Sequence, residues 1–148
     1  MSERTINRTT DSTQRPRVGV IGLGNAGQAI LQALSVHLPL VAYDRDATRY
    51  DCLDTISSIP AVIAGSVAEL AASVDLVILS LPTPAASISV AHEIQEAVVQ
   101  GTIILETSTV KPEDVEALHE VLGPVGAVVI DAAIIGGVHK LAKGQGVF

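Results

Sequence analysis

Val18-Gly19-Val20-Ile21-Gly22-Leu23-Gly24-Asn25-Ala26-Gly27 is the stretch that decides the fold. A short apolar run, Arg17–Ile21, reads as a strand and leads straight into G-x-G-x-x-G. A helical pattern follows over Asn25–Leu38, with Ala26, Ala29, Ile30, Ala33 and Leu34 on one face and Gln28 and Gln32 opposite. Pro39 cannot continue that helix. Each glycine has its own physical reason. Gly22 permits the tight turn, Gly24 leaves the backbone open to close approach, and Gly27 lets the helix pack on the strand.

Free N–H groups at the helix start, near Asn25 and Ala26, together with the helix dipole, suit a phosphate. The second strand, Leu40–Tyr43, ends at Asp44, about twenty residues downstream, where a dinucleotide-binding unit places its ribose-binding acid. Asp44 is expected to accept hydrogen bonds from the adenosine ribose and to repel the extra phosphate of NADP, which favours NAD. Arg45 beside it can stack on adenine or pair with that phosphate, so NADP stays open.

Outward from this unit the β-α rhythm repeats. A weaker helix is expected over Thr48–Ile56 and a short strand over Ala61–Ala64. Ser66 is placed to cap a helix over Val67–Ala72, with Glu69 at the capping-box position. Leu76–Leu79 reads as a strand buried on both faces, and a helix follows over Ala85–Val99. Thr102–Leu105 and Ala127–Ile130 are further strands, and Lys111-Pro112-Glu113 opens a helix between them that ends near Leu122. From Asp131 to Gly146 periodicity is lost, and Val147-Phe148 reads as the start of another strand. The expected fold is α/β: a Rossmann-type doubly wound, mainly parallel sheet with helices on both faces, over residues 17–148. Residues 1–16 read as a disordered tail.

Composition agrees with one globular domain. The 148 residues are 48% hydrophobic, 17% charged and only 2% aromatic, so Ala, Val, Ile and Leu must build the core. A net charge of −7 argues against a nucleic-acid surface but not against phosphates held on backbone N–H groups. No apolar run is long enough for a membrane span. The lone Cys52 can form no internal disulfide and has no metal-ligand spacing, so no metal site and a cytoplasmic location are expected.

Four motifs in order then bring a family into view: G-L-G-x-x-G at Gly22–Gly27, the strand from Asp75 to Pro82, S-T-V-x-P from Ser108 to Pro112, and D-A-x-x-x-G-G from Asp131 to Gly137. The chain resembles the β-hydroxyacid dehydrogenases, such as 3-hydroxyisobutyrate dehydrogenase and 6-phosphogluconate dehydrogenase. The resemblance implies an NAD(P)-binding domain of an oxidoreductase acting on the CH–OH group of a small β-hydroxyacid, and hence a small carboxylate substrate. It implies that Leu81 and Pro82 line the adenosine half of the groove and that Thr109 lies near the nicotinamide. It also implies that Ser108, Gly136 and Gly137 meet the substrate. The family's general acid, a Lys on a helix of a helical C-terminal domain that also forms a homodimer, would lie beyond Phe148, so this chain alone is expected to be inactive.

The chain also departs from that pattern. Ile135 stands where the family usually has Ser, Ala26 where Met is frequent, and Ala133 where Pro is frequent. A more apolar substrate is one consequence. Two other readings follow: a non-catalytic dinucleotide-binding module, and an imine reductase, which shares this domain. His139 near the substrate end reads as a solvated loop residue, and His37, His92 and His119 read as surface or packing residues on helices.

Overall fold

The computed structural model describes residues 15–56 and 61–147; most of the expected N-terminal tail lies outside them. Six strands form one parallel sheet: β1 (Val18–Ile21), β2 (Leu40–Tyr43), β3 (Val62–Ile63), β4 (Leu76–Leu79), β5 (Ile103–Glu106) and β6 (Val128–Asp131). Their order is β3-β2-β1-β4-β5-β6. The chain therefore winds outward twice from β1, and the direction reverses between β1 and β4. Ligands of open parallel sheets settle beyond the strand ends at such a reversal.

The helices are α1 (Asn25–Ser35), α2 (Leu53–Ile56), α3 (Val67–Ser73), α4 (Pro84–Gln95), α5 (Pro112–Leu122) and α6 (Val138–Ala142). Two apolar layers result, one on each face of the sheet. Val77, Leu79 and Ile104 pack under α3, α4 and α5 through Leu70, Val90, Ile94, Leu118 and Leu122. Val18, Val20 and Ile78 pack under α1 and α6 through Ile30, Leu31 and Leu141. Helices on both faces and an all-parallel sheet are the expected Rossmann architecture.

Several boundaries differ from the sequence reading, each for a local reason. The first helix stops at Ser35, ahead of Pro39, and its last turn closes with His37 and Leu38 N–H both donating to the Leu34 carbonyl. Leu31 is buried on its core face, which the apolar stripe had missed. Thr48–Ile56 is not one helix. Asp46 accepts from Thr48 N–H at 3.0 Å and opens a 3-10 turn over Ala47–Cys52, with α2 following. The helix expected to reach Val99 ends at Gln95. β5 and β6 each run one residue further, to Glu106 and Asp131. The stretch after Asp131 is not aperiodic, since α6 forms there and buries Leu141. Five residues are too few to show a helical period. His139 thus sits exposed on a helix, not in a loop, while His37 lies just past the end of one. Ser66 caps α3 as expected, accepting from Glu69 N–H, but Glu69 reaches back to Gly65 N–H. Val147 forms a single antiparallel bridge to Ile135, whose N–H donates to its carbonyl at 2.7 Å. Among the described residues no helix is long and apolar enough to cross a membrane.

Candidate dinucleotide site

The groove begins at the turn between β1 and α1. Gly22 has φ +97°, a conformation that disfavours any side chain, and a Cβ there would meet the Ser80 carbonyl oxygen at 2.1 Å. Gly27 lies so close to the same turn that its Cβ would stand 1.8 Å from the Gly22 carbonyl oxygen. Gly24 is the opposite case, with nothing within 4 Å of its added Cβ. The gap above Gly24 faces the start of α1, where no side chain caps the helix and no acid occupies the first turn. An open cradle over an uncapped helix N-terminus fits an anionic pyrophosphate.

A cavity of about 450 Å³ runs from this turn past the end of β2. Gly22, Gly24, Asn25, Ala26, Asp44, Arg45, Leu81 and Pro82 line it, joined by Tyr43, Arg49, Ala86 and Val90. Leu23 and Gly27 do not. The Leu23 side chain is fully buried, and its N–H donates to Asp44 Oδ2 at 2.7 Å. Asp44 Oδ1 accepts from Asp46 N–H at 2.8 Å. Each carboxylate oxygen keeps lone-pair capacity for a further donor, such as a ribose hydroxyl. The Tyr50 hydroxyl clamps the Asp44 backbone by donating to its carbonyl at 2.8 Å and accepting from its N–H at 3.1 Å. Sequence reasoning gave Tyr50 no role.

Arg45 spans from the end of β2 to α4. Its Nη2 lies 3.0 Å from Glu93 Oε1 and 3.4 Å from Ser89 Oγ. Arg49 pairs more loosely with Asp46, Nε to Oδ2 at 3.8 Å. The Thr48 hydroxyl, then the Thr48 N–H, hold the Asp46 carboxyl below its ordinary range, opposed by slight desolvation and aided by Arg49. Burial pushes the Cys52 thiol up and makes it a poor nucleophile.

A second cavity of about 360 Å³ continues the groove across the ends of β4, β5 and β6. Ala26, Ser80, Leu81 and Pro82 line both cavities, so the two adjoin. Ser108, Thr109 and Gly136 line the second cavity with Thr107, Ile134, Val138 and Leu141. Gly136 has φ +114°. Gly137 is not in the lining; it precedes α6 as its cap residue. The Ser108 hydroxyl does not cap α5. It accepts from Leu81 N–H at 3.0 Å, while Ser108 N–H donates to the fully buried Glu106 at 2.8 Å. Its own hydrogen stays free to donate to a ligand. Ile135 is 67% exposed and is not part of this lining, whose apolar wall comes from Ile134, Val138 and Leu141. Among the described residues no group of three His, Cys, Asp or Glu side chains gathers where a metal could sit.

Residues 17–148 match the profile of the NAD binding domain of 6-phosphogluconate dehydrogenase. The chain belongs to this family. Within it, the chain is 33% identical over 132 residues to the rat mitochondrial 3-hydroxyisobutyrate dehydrogenase, covering 86% of this chain and 38% of the relative. The 3-hydroxyisobutyrate dehydrogenase of Mycobacterium tuberculosis superposes with a TM-score of 0.79 at 22% identity, over 87% of this chain and 44% of that one. An imine reductase from Bacillus cereus BAG3X2 superposes at 0.74 with 26% identity, over 84% and 43%. The chain thus spans less than half the length of the relatives it matches. It is an NAD(P)-binding domain of the 3-hydroxyisobutyrate dehydrogenase-like kind.

Proposed function

We propose that this domain holds NAD, in preference to NADP, for a dehydrogenase that oxidises the hydroxyl of a small β-hydroxyacid. The observation that carries the reading is the pair of adjoining cavities that runs from Asp44 to Gly136. One end offers a carboxylate for ribose hydroxyls, the middle an uncapped helix over an open glycine, and the far end Ser108 and Thr109 beside the Gly136 backbone.

The nicotinamide would supply the hydride acceptor. The chain's own residues bind and orient. Asp44, fixed by Leu23 N–H and by Tyr50, receives the ribose. Gly24, Asn25 and Ala26 offer the pyrophosphate its backbone. Leu81 and Pro82 form the apolar wall shared by both cavities, Thr109 lies beside the nicotinamide position, and Ser108 and Gly136 meet the substrate carboxylate or hydroxyl. By the resemblance to the family, a proton-transferring Lys and a homodimer contact would come from the portion of the relatives that this chain does not span. Titration of the chain with NADH and NADPH, followed by nucleotide fluorescence, tests the binding half of the reading. Saturable binding with tighter NADH is expected, and tighter NADPH would overturn the preference. A 3-hydroxyisobutyrate oxidation assay on a protein that joins this domain to the relatives' remaining portion tests the chemistry.

A second reading, imine reduction, is favoured by the apolar wall of Ile134, Val138 and Leu141 in the substrate half. Turnover of a cyclic imine with no oxidation of hydroxyacids would select it.

A further inference from the structure

We propose that Glu93 is a positioning residue for cofactor choice: it holds Arg45 on α4 and so withholds it from the 2′-phosphate of NADP. The proposal rests on the dinucleotide reading of the groove. Its starting point is the spacing of α4. Ala86 and Val90 line the adenosine cavity, and Glu93 follows one turn later on the same side of the helix, outside the lining itself. From there it meets Arg45 at 3.0 Å, with Ser89 Oγ at 3.4 Å as a second acceptor.

A 2′-phosphate on the adenosine ribose would enter beside Asp44 and need cationic partners. Two arginines line this end of the cavity, Arg45 and Arg49, and each already faces a carboxylate, Glu93 and Asp46. To reach the phosphate, Arg45 must leave Glu93, which then stands uncompensated near a new negative charge. NAD asks for no such exchange, and Arg45 can remain paired with Glu93 on α4. Asp44 therefore repels the phosphate directly, and Glu93 acts through Arg45. The pair is exposed, at 66% and 42%, so the expected effect is modest.

The test is nucleotide affinity of the full chain, measured for NADH and NADPH with the wild type, Glu93→Gln, Arg45→Ala and the double variant. Glu93→Gln is expected to tighten NADPH about two- to fivefold and leave NADH within about twofold, the scale of one exposed ion pair. The gain should vanish in the Arg45→Ala background and shrink at about 0.5 M salt, where surface charges are screened. A merely structural role for Glu93 would move both nucleotides together. An unchanged NADPH-to-NADH ratio, or a gain that survives without Arg45, overturns the proposal alone. Failure of the wild type to bind either nucleotide overturns the dinucleotide reading with it.

Discussion

Gly24→Ala and Gly27→Ala insert the same methyl group three residues apart and should fail in opposite ways. At Gly27 the new Cβ would stand 1.8 Å from the Gly22 carbonyl oxygen and 2.9 Å from its carbonyl carbon. Both are backbone atoms of the tight turn and cannot rotate away. The helix must lift from β1 by about 1.2 Å to reach tolerable contact, in an interior packed at crystal density. Overpacking of this kind costs about 1–3 kcal/mol, and backbone against backbone belongs at the upper end. For a domain of this size, a loss of about 3 kcal/mol lowers Tm by roughly 6–12 °C. At Gly24 nothing lies within 4 Å and φ is −69°, so alanine fits the backbone. An N-cap Ala in place of Gly costs about 1 kcal/mol at most. The methyl group, however, fills the space the pyrophosphate needs. Losing one charge-assisted hydrogen bond of about 1.5–3 kcal/mol weakens binding by roughly ten- to a hundredfold. Circular dichroism melting and NADH titration of both variants read the two effects separately. If Gly24→Ala bound NADH as tightly as the wild type, or melted as low as Gly27→Ala, the division of labour between these glycines would be refuted.

Other expectations follow from single contacts. Leu141→Ala, which empties a buried site beneath α1, should cost about 2–4 kcal/mol and speed amide exchange across α6; unchanged exchange there would separate α6 from the core. Cys52 should react with iodoacetamide more slowly than a free cysteine peptide, since burial raises its pKa, and faster alkylation would contradict that. Asp46 titrates below its ordinary range in the folded chain. Its contribution is therefore present above the unfolded pKa and lost as pH falls through the folded value. Thr48→Val, which removes the hydroxyl donor, should raise the Asp46 pKa in an NMR titration, and no rise would dismiss that hydroxyl as the main cause.

The sheet and the glycine turn were legible in the sequence because their signals are local. Gly22, Gly24 and Gly27 sit between a strand and a helix, and Leu76–Leu79 is apolar without interruption. Asp44 was legible by its distance from the turn, although not that Leu23 N–H spends itself on holding it. What stayed hidden depends on contacts between distant segments or on elements too short for a period. Glu93 lies 48 residues from Arg45 and reads as one more exposed acid on a helix. Tyr50 sits in a 3-10 turn that no apolar pattern announces. Glu106 is an acidic residue yet fully buried at a strand end, where hydropathy points the wrong way. Ile135, the most visible departure from the family pattern, is exposed to solvent, and the apolar wall of the second cavity is made by Ile134, Val138 and Leu141.

Ser108 shows why the two adjoining cavities should respond together. Its hydroxyl accepts Leu81 N–H, and Leu81 with Pro82 walls both cavities. Its own N–H is held by Glu106, and the adjoining Thr107 hydroxyl donates to the Leu79 carbonyl at 2.7 Å. The ends of β4 and β5 are thereby tied by side chains just beyond where the sheet ladder stops. Ser108→Ala leaves the partly buried Leu81 N–H without its acceptor, a loss of about 1 kcal/mol where water can enter. The expected signature is faster exchange of the Leu81 amide and a several-fold weaker NADH affinity, although Ser108 itself lines only the far cavity. Ser108→Thr keeps the oxygen and should restore both. An affinity loss with Leu81 exchange unchanged would mean that Ser108 acts on the ligand directly, and that the shared wall stands without it.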